Sequence, residues 1–186
     1  MGRAILAWLI LLSLAICPIK SNTIFLYKSC NKTLYPQLCY VYLSPFISRI
    51  GTSPRLLAQT ALAATLSTTR STSKNLTIYS RTHKITKRES GALQDCLEEI
   101  SDSAYELHIS MVEMGKVRSG SDFLFNMNSI ETWVSAALTD DDTCTDGFSA
   151  KSMNGELKNV VRKQKLLATN GTMVFKTKWR YQHSMS

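Results

Sequence analysis

The strongest pattern of apolar and polar residues in the chain runs from Gly91 to Met114. Apolar residues recur there every three or four positions, which places them on one stripe of an α-helix. The stripe consists of Leu93, Leu97, Ile100, Ala104, Leu107, Met111 and Met114. Acidic residues occupy the opposite side, and a repeat close to 3.5 favours neighbours that cross at a shallow angle. The segment is therefore predicted to be one helix of a bundle.

A second long helix is predicted before this one. The sequence Thr52-Ser53-Pro54 is typical of a helix start, with Ser53 as the capping residue and Pro54 in the first helical position. A four-three rhythm continues through the Ser/Thr-rich stretch 67–75 and keeps it in the helix. His83 to Arg88 is then expected to form the turn into the acidic helix.

Two more helical patterns follow the acidic helix. The first begins near Asn128, which stands three residues before Glu131 at the spacing of a capping box. Its apolar stripe has a single polar interruption, at Asp141. The second begins near Met153 and is predicted to stop at Asn170-Gly171. Beyond that point apolar and basic residues alternate with a period of two, so residues 169–186 are expected to form an atypical basic tail.

The chain has 186 residues, which suffices for one domain with a hydrophobic core. Residues 1–22 have the character of an export signal, because Arg3 precedes an apolar run from Ala4 to Ile16 that is shorter than the about 20 residues of a membrane span. Cleavage between Cys17 and Asn22 would leave a secreted protein without a stable membrane span, with one domain over residues 23–168. An uncleaved anchor is the alternative.

Export changes the interpretation of the cysteines. Cys17 lies in or beside the signal, and the remaining four are Cys30, Cys39, Cys96 and Cys144. Their spacing does not suit a metal site, and four cysteines allow three disulfide pairings. Loop-closure entropy gives somewhat under ~3 kcal/mol for joining the first two and ~4 kcal/mol for the last two. The sequence is compatible with this pairing but does not exclude the others.

The net charge of +8 is unevenly distributed. Residues 21–88 contain ten Lys or Arg and no acid, residues 89–146 contain thirteen acids against two basic residues, and residues 150–186 contain eight basic residues against one acid. A nucleic-acid partner is not expected, because the export signal and the acidic middle both argue against it. The alternation favours antiparallel helices that face one another with opposite charge.

No set of catalytic residues can be assembled, and neither a metal nor a cofactor is expected. The three histidines are isolated, and no Gly-rich phosphate loop, HExxH or GxSxG motif occurs. The acids at 140–142 lack the spacing of a calcium loop and are interpreted as a solvated helix end. Glycosylation sequons predict modified side chains at Asn31, Asn75 and Asn170. These observations favour a binding protein over an enzyme.

Three motifs contain all four remaining cysteines: CNKTLYPQLC, ALQDCLEEISDSAYEL and ETWVSAALTDDDTCTDGF. In this order they closely resemble the plant invertase and pectin methylesterase inhibitor family, over residues 22–162. The resemblance implies an all-α fold, namely an antiparallel up-down-up-down four-helix bundle preceded by an N-terminal helical hairpin. It also implies two disulfides, Cys30–Cys39 and Cys96–Cys144.

The same resemblance implies a secreted inhibitor of pectin methylesterase that acts in the apoplast and cell wall. It would form a one-to-one complex that covers the pectin-binding cleft of the enzyme. Acid invertase is the alternative target, although the Pro-Lys-Phe motif of the invertase inhibitors does not occur in this sequence. A cell-wall protein that binds pectin through its basic residues, without an enzyme target, is the other alternative.

The contact surface is expected on exposed positions of the second and third long helices. The candidates are Glu98, Asp102, Tyr105, Thr132, Ser135 and Thr139. An acidic face would complement a cleft that accepts an anionic polymer, since charge complementarity aids encounter and specificity. The alternative is that these residues only solvate their helices.

The chain departs from the family after Arg162, where members usually continue with an apolar run rich in Leu and Ala. Loss of large core side chains costs about 2–5 kcal/mol each. The departure therefore predicts either a marginally stable bundle or one in which Met173 and Phe175 replace the missing core.

Overall fold

The computed structural model describes residues 20–117, 122–150, 153 and 155–179, without the side chains of residues 170 and 176–179. Every regular element in this part of the chain is helical. The elements are α1 (described over residues 20–30), α2 (Pro36–Leu43), a 3-10 turn (Ser44–Phe46), α3 (Ile47–Ile50), α4 (Pro54–Thr82), α5 (Lys87–Lys116), α6 (Phe123–Gly147) and α7 (Gly155–Trp179). In the bundle of α4 to α7 each helix packs on the next and α7 closes against α4. The predicted four-helix bundle with a preceding hairpin is confirmed.

The hairpin of α1 and α2 is closed by the Cys30–Cys39 disulfide, with 5.5 Å between the two Cα atoms. Its buried Leu26 and Leu43 belong to the same hydrophobic cluster as Leu57 of α4 and Val174 of α7. The hairpin therefore packs on one end of the bundle, where α4 begins and α7 ends.

The predicted start of α4 is confirmed, because the Ser53 hydroxyl accepts a 3.2 Å hydrogen bond from the Leu56 N–H. The capping box predicted at Asn128 is wrong. α6 begins at Phe123, so Asn128 lies inside the helix. The bundle does have a capping box, at the start of α5, where the Glu89 N–H donates to the Thr86 hydroxyl and the Thr86 N–H donates to the Glu89 carboxylate.

The predicted end of the last helix at Asn170-Gly171 is also wrong. α7 continues to Trp179, and its last turns carry buried Val174 and Phe175. Phe175 is 2% exposed and packs in the cluster that contains Leu62, Leu107 and Val134. Phe175 therefore lies in the core as predicted, whereas Met173, predicted with it, is only half-buried.

A layer of buried polar side chains divides the core of the bundle. All four long helices contribute to it, with Thr69, Thr72, Ser103, Asp141 and Gln164. Thr72 Oγ1 donates to Gln164 Oε1 at 2.9 Å, and Gln164 Nε2 donates to Thr69 Oγ1 at 2.6 Å. The apolar clusters lie on either side of this layer. Asp141, 2% exposed, is therefore not part of a solvated helix end, and that interpretation was wrong for it.

Gly171 permits the close approach of α7 to α4. A Cβ atom at this position would clash with the Thr65 hydroxyl and lie 3.1 Å from the Thr65 Cβ. Thr65 is fully buried and its hydroxyl donates to the Ala61 carbonyl at 2.9 Å. The Thr65 side chain therefore cannot easily move away from a Cβ atom at position 171. Gly171, which in sequence resembles part of a helix stop, thus serves helix packing.

We expect Gly171→Ala to lower the free energy of unfolding by about 1–3 kcal/mol through overpacking. The double variant Gly171→Ala/Thr65→Ala should recover part of that loss relative to Thr65→Ala alone, because the clashing hydroxyl is gone. Chemical unfolding of the four proteins measures this coupling. Additive losses would show that the two residues do not compete for the same space.

Candidate protein-binding face

The orientation of α5 follows from its buried seam. The fully or nearly fully buried positions are Leu93, Cys96, Ile100, Ser103, Leu107, Ser110 and Met114, spaced alternately by three and four. This seam is rotated slightly from the predicted stripe, since it replaces Leu97, Ala104 and Met111 with one cysteine and two serines. The rotation fixes which acidic side chains face outward.

The Cys96–Cys144 disulfide joins this seam to α6, with 4.2 Å between the two Cα atoms. Both disulfides implied by the family resemblance are present. The bond lies in the apolar cluster with Leu93, Ile100 and Phe148. It links α5 covalently to α6, so the outer side chains of one helix are held in position relative to those of the other.

Five of the six predicted contact residues are exposed, namely Glu98, Asp102, Tyr105, Thr132 and Thr139. Ser135 is half-buried. Spacings of four and three residues place the first three on one stripe of α5, and spacings of three and four place the others on one stripe of α6. Both stripes point away from the core, on neighbouring helices. We call these six residues the outer α5–α6 face.

Tyr105 is the large apolar group of this face, 63% exposed. The two threonines are more restrained, because the Thr132 hydroxyl donates to the Asn128 carbonyl at 2.9 Å and the Thr139 hydroxyl to the Ser135 carbonyl at 3.1 Å. Their oxygen atoms can still accept hydrogen bonds from a partner. The face can therefore offer an aromatic ring, carboxylates and hydroxyl acceptors.

A carboxyl pair joins α5 and α6 beside this face. Burial raises the pKa of Glu106 to about 7, and a hydrogen bond with Asp140 and the charges of Asp140 and Asp102 add to the rise. Burial also raises the pKa of Asp140, against the lowering effect of its hydrogen bond with Glu106. The opposite effects of the hydrogen bond on the two groups correspond to a protonated Glu106 that donates to the Asp140 carboxylate. Sequence reasoning missed this pair because it depends on the register between the helices.

Asp141, next in the chain, points into the buried polar layer. Burial raises its pKa to about 7, and the charges of Asp140 and Asp142 act in the same direction. The side chains of Gln164 and Ser103 oppose this rise only in part, because neither makes a well-aligned hydrogen bond to the carboxylate. Asp142 instead forms a salt bridge with Lys165 of α7, at 3.1 Å.

Two of the predicted glycosylation sites can be located. Asn31 is exposed in the turn between α1 and α2, and Asn75 is exposed on α4. The side chain of Asn170 lies outside the described residues, as do Cys17 and residues 1–19 of the predicted signal, whereas residues 20–22 belong to α1. None of the described helices has the length and apolar character that a bilayer span requires. Within the described ranges, no three His, Cys, Asp or Glu side chains are placed to hold a metal ion.

Comparison with known proteins gives the same family as the motifs. A family model described as plant invertase/pectin methylesterase inhibitor matches residues 25–174, which extends past residue 162 into the segment predicted to depart from the family. The chain is 40% identical over 151 residues to pectinesterase inhibitor 11 of Arabidopsis thaliana, covering 80% of this chain and 75% of that protein. It is also 40% identical over 142 residues to a 21 kDa protein of Daucus carota, covering 75% and 74%.

A solved structure has the same fold. It is the crystal structure of a mutant form of a pectin methylesterase inhibitor from Arabidopsis, with a TM-score of 0.63. The match covers 80% of this chain and 93% of that one at 22% sequence identity, so it supports the fold alone.

Proposed function

Because the chain belongs to the plant invertase/pectin methylesterase inhibitor family, we propose that it is a secreted inhibitor of pectin methylesterase. The outer α5–α6 face would contact the enzyme in a one-to-one complex, and the bundle would cover the cleft that receives pectin. Inhibition would then result from exclusion of the substrate, without a chemical step. Several relatives carry the name pectinesterase inhibitor, which favours this target over acid invertase.

The observation that carries the proposal is the exposed Tyr105 between acidic groups on a rigid pair of helices. A large aromatic side chain that remains mostly exposed in the folded protein is typical of the anchors that dominate protein interfaces. The disulfide between α5 and α6 holds the face in place before binding, which reduces the entropy lost on association. Glu98 and Asp102 would add charge complementarity to a cleft that accepts an anionic polymer.

The proposed location is the apoplast and cell wall, as expected from the export signal in the sequence. Acid invertase remains the second candidate target, since the family includes inhibitors of both enzymes. The sequence lacks the Pro-Lys-Phe motif of the invertase inhibitors, so we expect invertase to be inhibited weakly or not at all.

We expect Tyr105→Ala to weaken inhibition of pectin methylesterase by about 30-fold or more, the loss typical of a hot-spot side chain worth about 2 kcal/mol. Asp102→Lys should mainly slow association, because it reverses a charge that steers the encounter. The inhibition constant and the association rate are measured with the purified proteins.

Matched controls lie elsewhere on the molecule. Tyr27 of α1 is 57% exposed, and Glu156 is an exposed acid of α7, outside the outer α5–α6 face. Tyr27→Ala and Glu156→Lys should leave inhibition unchanged within about twofold. If the Tyr105 and Asp102 variants inhibit as well as the unmodified protein while these controls do not, the contact surface is assigned to the wrong side of the bundle.

A further inference from the structure

The bundle separates its charges between two opposite sides. α4 carries four Lys or Arg and no acid, while α6 carries five acids and no Lys or Arg. α7 carries six Lys and Arg against a single acid. Because α4 packs on α7 and α5 packs on α6, the cationic pair of helices lies opposite the pair that carries the outer α5–α6 face.

Four of the cations on this side have no salt bridge with any described residue. They are Arg70 and Lys74 of α4 and Arg162 and Lys163 of α7, and all four side chains are exposed. Lys165, by contrast, pairs with Asp142. Like charges gathered on one side destabilise the compact state and attract an external anion. The arrangement therefore favours a polyanionic ligand on this side.

A groove of about 290 Å³ runs between α4 and α7 on the same side. Its lining residues are Ser67, Thr68, Ser71, Thr72, Asn75, Val160, Lys163, Gln164 and Leu167. The amide of Gln164 and the hydroxyl of Thr72, both more than nine-tenths buried, form its floor. The groove thus presents hydroxyl groups, amides and aliphatic surface beside a cation, the combination that suits a sugar ring with its hydroxyls, C–H faces and a carboxylate.

We propose that the α4–α7 side binds a carboxylated polysaccharide, a chain of uronic acid residues. One sugar would occupy the groove, with its carboxylate near Lys163, and the polymer would continue across α4 toward Arg70 and Lys74. No aromatic side chain lines the groove, so it offers no stacking platform for a nucleic-acid base. The site is separate from the outer α5–α6 face, so the protein could hold such a polymer and an enzyme at once.

Asn75 lines the groove and stands in a glycosylation sequon, so the proposal applies to the protein without a glycan at this position. The test uses protein made in a bacterial periplasm, where disulfides form and Asn75 receives no glycan. Affinity electrophoresis or calorimetry compares polygalacturonate with its fully methyl-esterified form. We expect binding to the acid form only, weakened as ionic strength rises from about 0.01 M to about 0.1 M and the Debye length falls from about 30 Å to about 10 Å.

The triple variant Arg70→Gln/Lys74→Gln/Lys163→Gln should bind polygalacturonate about tenfold more weakly, the loss of three modest ion pairs. A control with the same change in net charge is Lys28→Gln/Arg49→Gln/Lys87→Gln, which removes exposed cations elsewhere and should lose less than about threefold. Ser71→Tyr fills the groove without changing the charge and should also weaken binding.

The proposal is overturned if both triple variants lose the same affinity for polygalacturonate, or if the protein binds double-stranded DNA as tightly as polygalacturonate. Either result would mean that only general charge attraction is at work. Inhibition of pectin methylesterase is measured on the same variants and should be unchanged. If the unmodified protein does not inhibit pectin methylesterase, the proposed function is refuted and this proposal is not. If it does not bind polygalacturonate, the proposed polysaccharide site is refuted and the inhibitor function is not.

Discussion

Replacement of Phe175 by alanine is expected to lower the free energy of unfolding by about 3–5 kcal/mol, as is typical of a buried aromatic residue. Phe175 is 2% exposed and packs against residues of α4, α5 and α6. A small domain has a total stability of about 5–15 kcal/mol, so the loss would leave the bundle marginal. Chemical denaturation monitored by helical circular dichroism measures it.

Phe125 provides the matched control, because it is 73% exposed near the start of α6. Phe125→Ala should change stability by less than about 0.5 kcal/mol. A chain ending at residue 169 loses Phe175 and also Val174, which packs against the hairpin. It should unfold more readily than either point variant. Equal stability of that shortened chain and the full one would contradict the packing of the last turns of α7.

Thermal stability is expected to fall as the pH rises from about 4 to 8, chiefly because of Asp141. Burial raises its pKa from an ordinary 3.8 to about 7, so the folded protein holds a proton that the unfolded chain releases near pH 4. Between these values each rise in pH favours the unfolded state. The full interval corresponds to at most about 4 kcal/mol. The raised pKa values of Glu106 and Asp140 act in the same direction.

Asp141→Asn should reduce most of this pH dependence and raise stability at pH 8, since the fully buried side chain at position 141 then no longer has to ionise. Asp142→Asn is the control one residue away. It removes a partly exposed carboxylate that pairs with Lys165 and should leave the slope between pH 4 and 8 nearly unchanged. A flat profile for the unmodified protein, or the same slope in Asp141→Asn, would show that the carboxyl of Asp141 is hydrated in the folded state.

The sequence was sufficient for the architecture and for the start of α4. Periodicity located all four long helices, and the pair Ser53-Pro54 correctly predicted that α4 begins at Pro54. The disulfides followed from the family resemblance rather than from spacing, because loop entropy alone left three pairings open. These features depend on local chemistry or on motifs, which a single sequence contains.

Features that depend on contacts between helices were predicted less well. Asn170-Gly171 has the composition of a helix stop, yet Gly171 serves the close approach to Thr65. A signal was present, since Gln164, Leu167, Ala168, Gly171, Thr172 and Phe175 keep the three-four spacing, but the alternating basic residues obscured it. The register between α5 and α6 decides that Asp141 is buried and that Asp140 meets Glu106. No local pattern contains that register.

The outer α5–α6 face was chosen from the sequence as the side opposite the apolar stripe, and the exposure of five of its six residues agrees with that choice. Its role in binding an enzyme stays a prediction. The acidic composition of α5 and α6 is visible in the sequence, but only the packing order of the helices shows that the cationic groove lies on the other side of the bundle.

The most direct test of the proposed function is a titration of pectin methylesterase with the purified, disulfide-bonded protein, run in parallel with acid invertase. We predict that pectin methylesterase activity falls to zero at one equivalent of inhibitor and that invertase activity is unaffected. A fully folded protein that leaves pectin methylesterase active at a large molar excess would contradict the account.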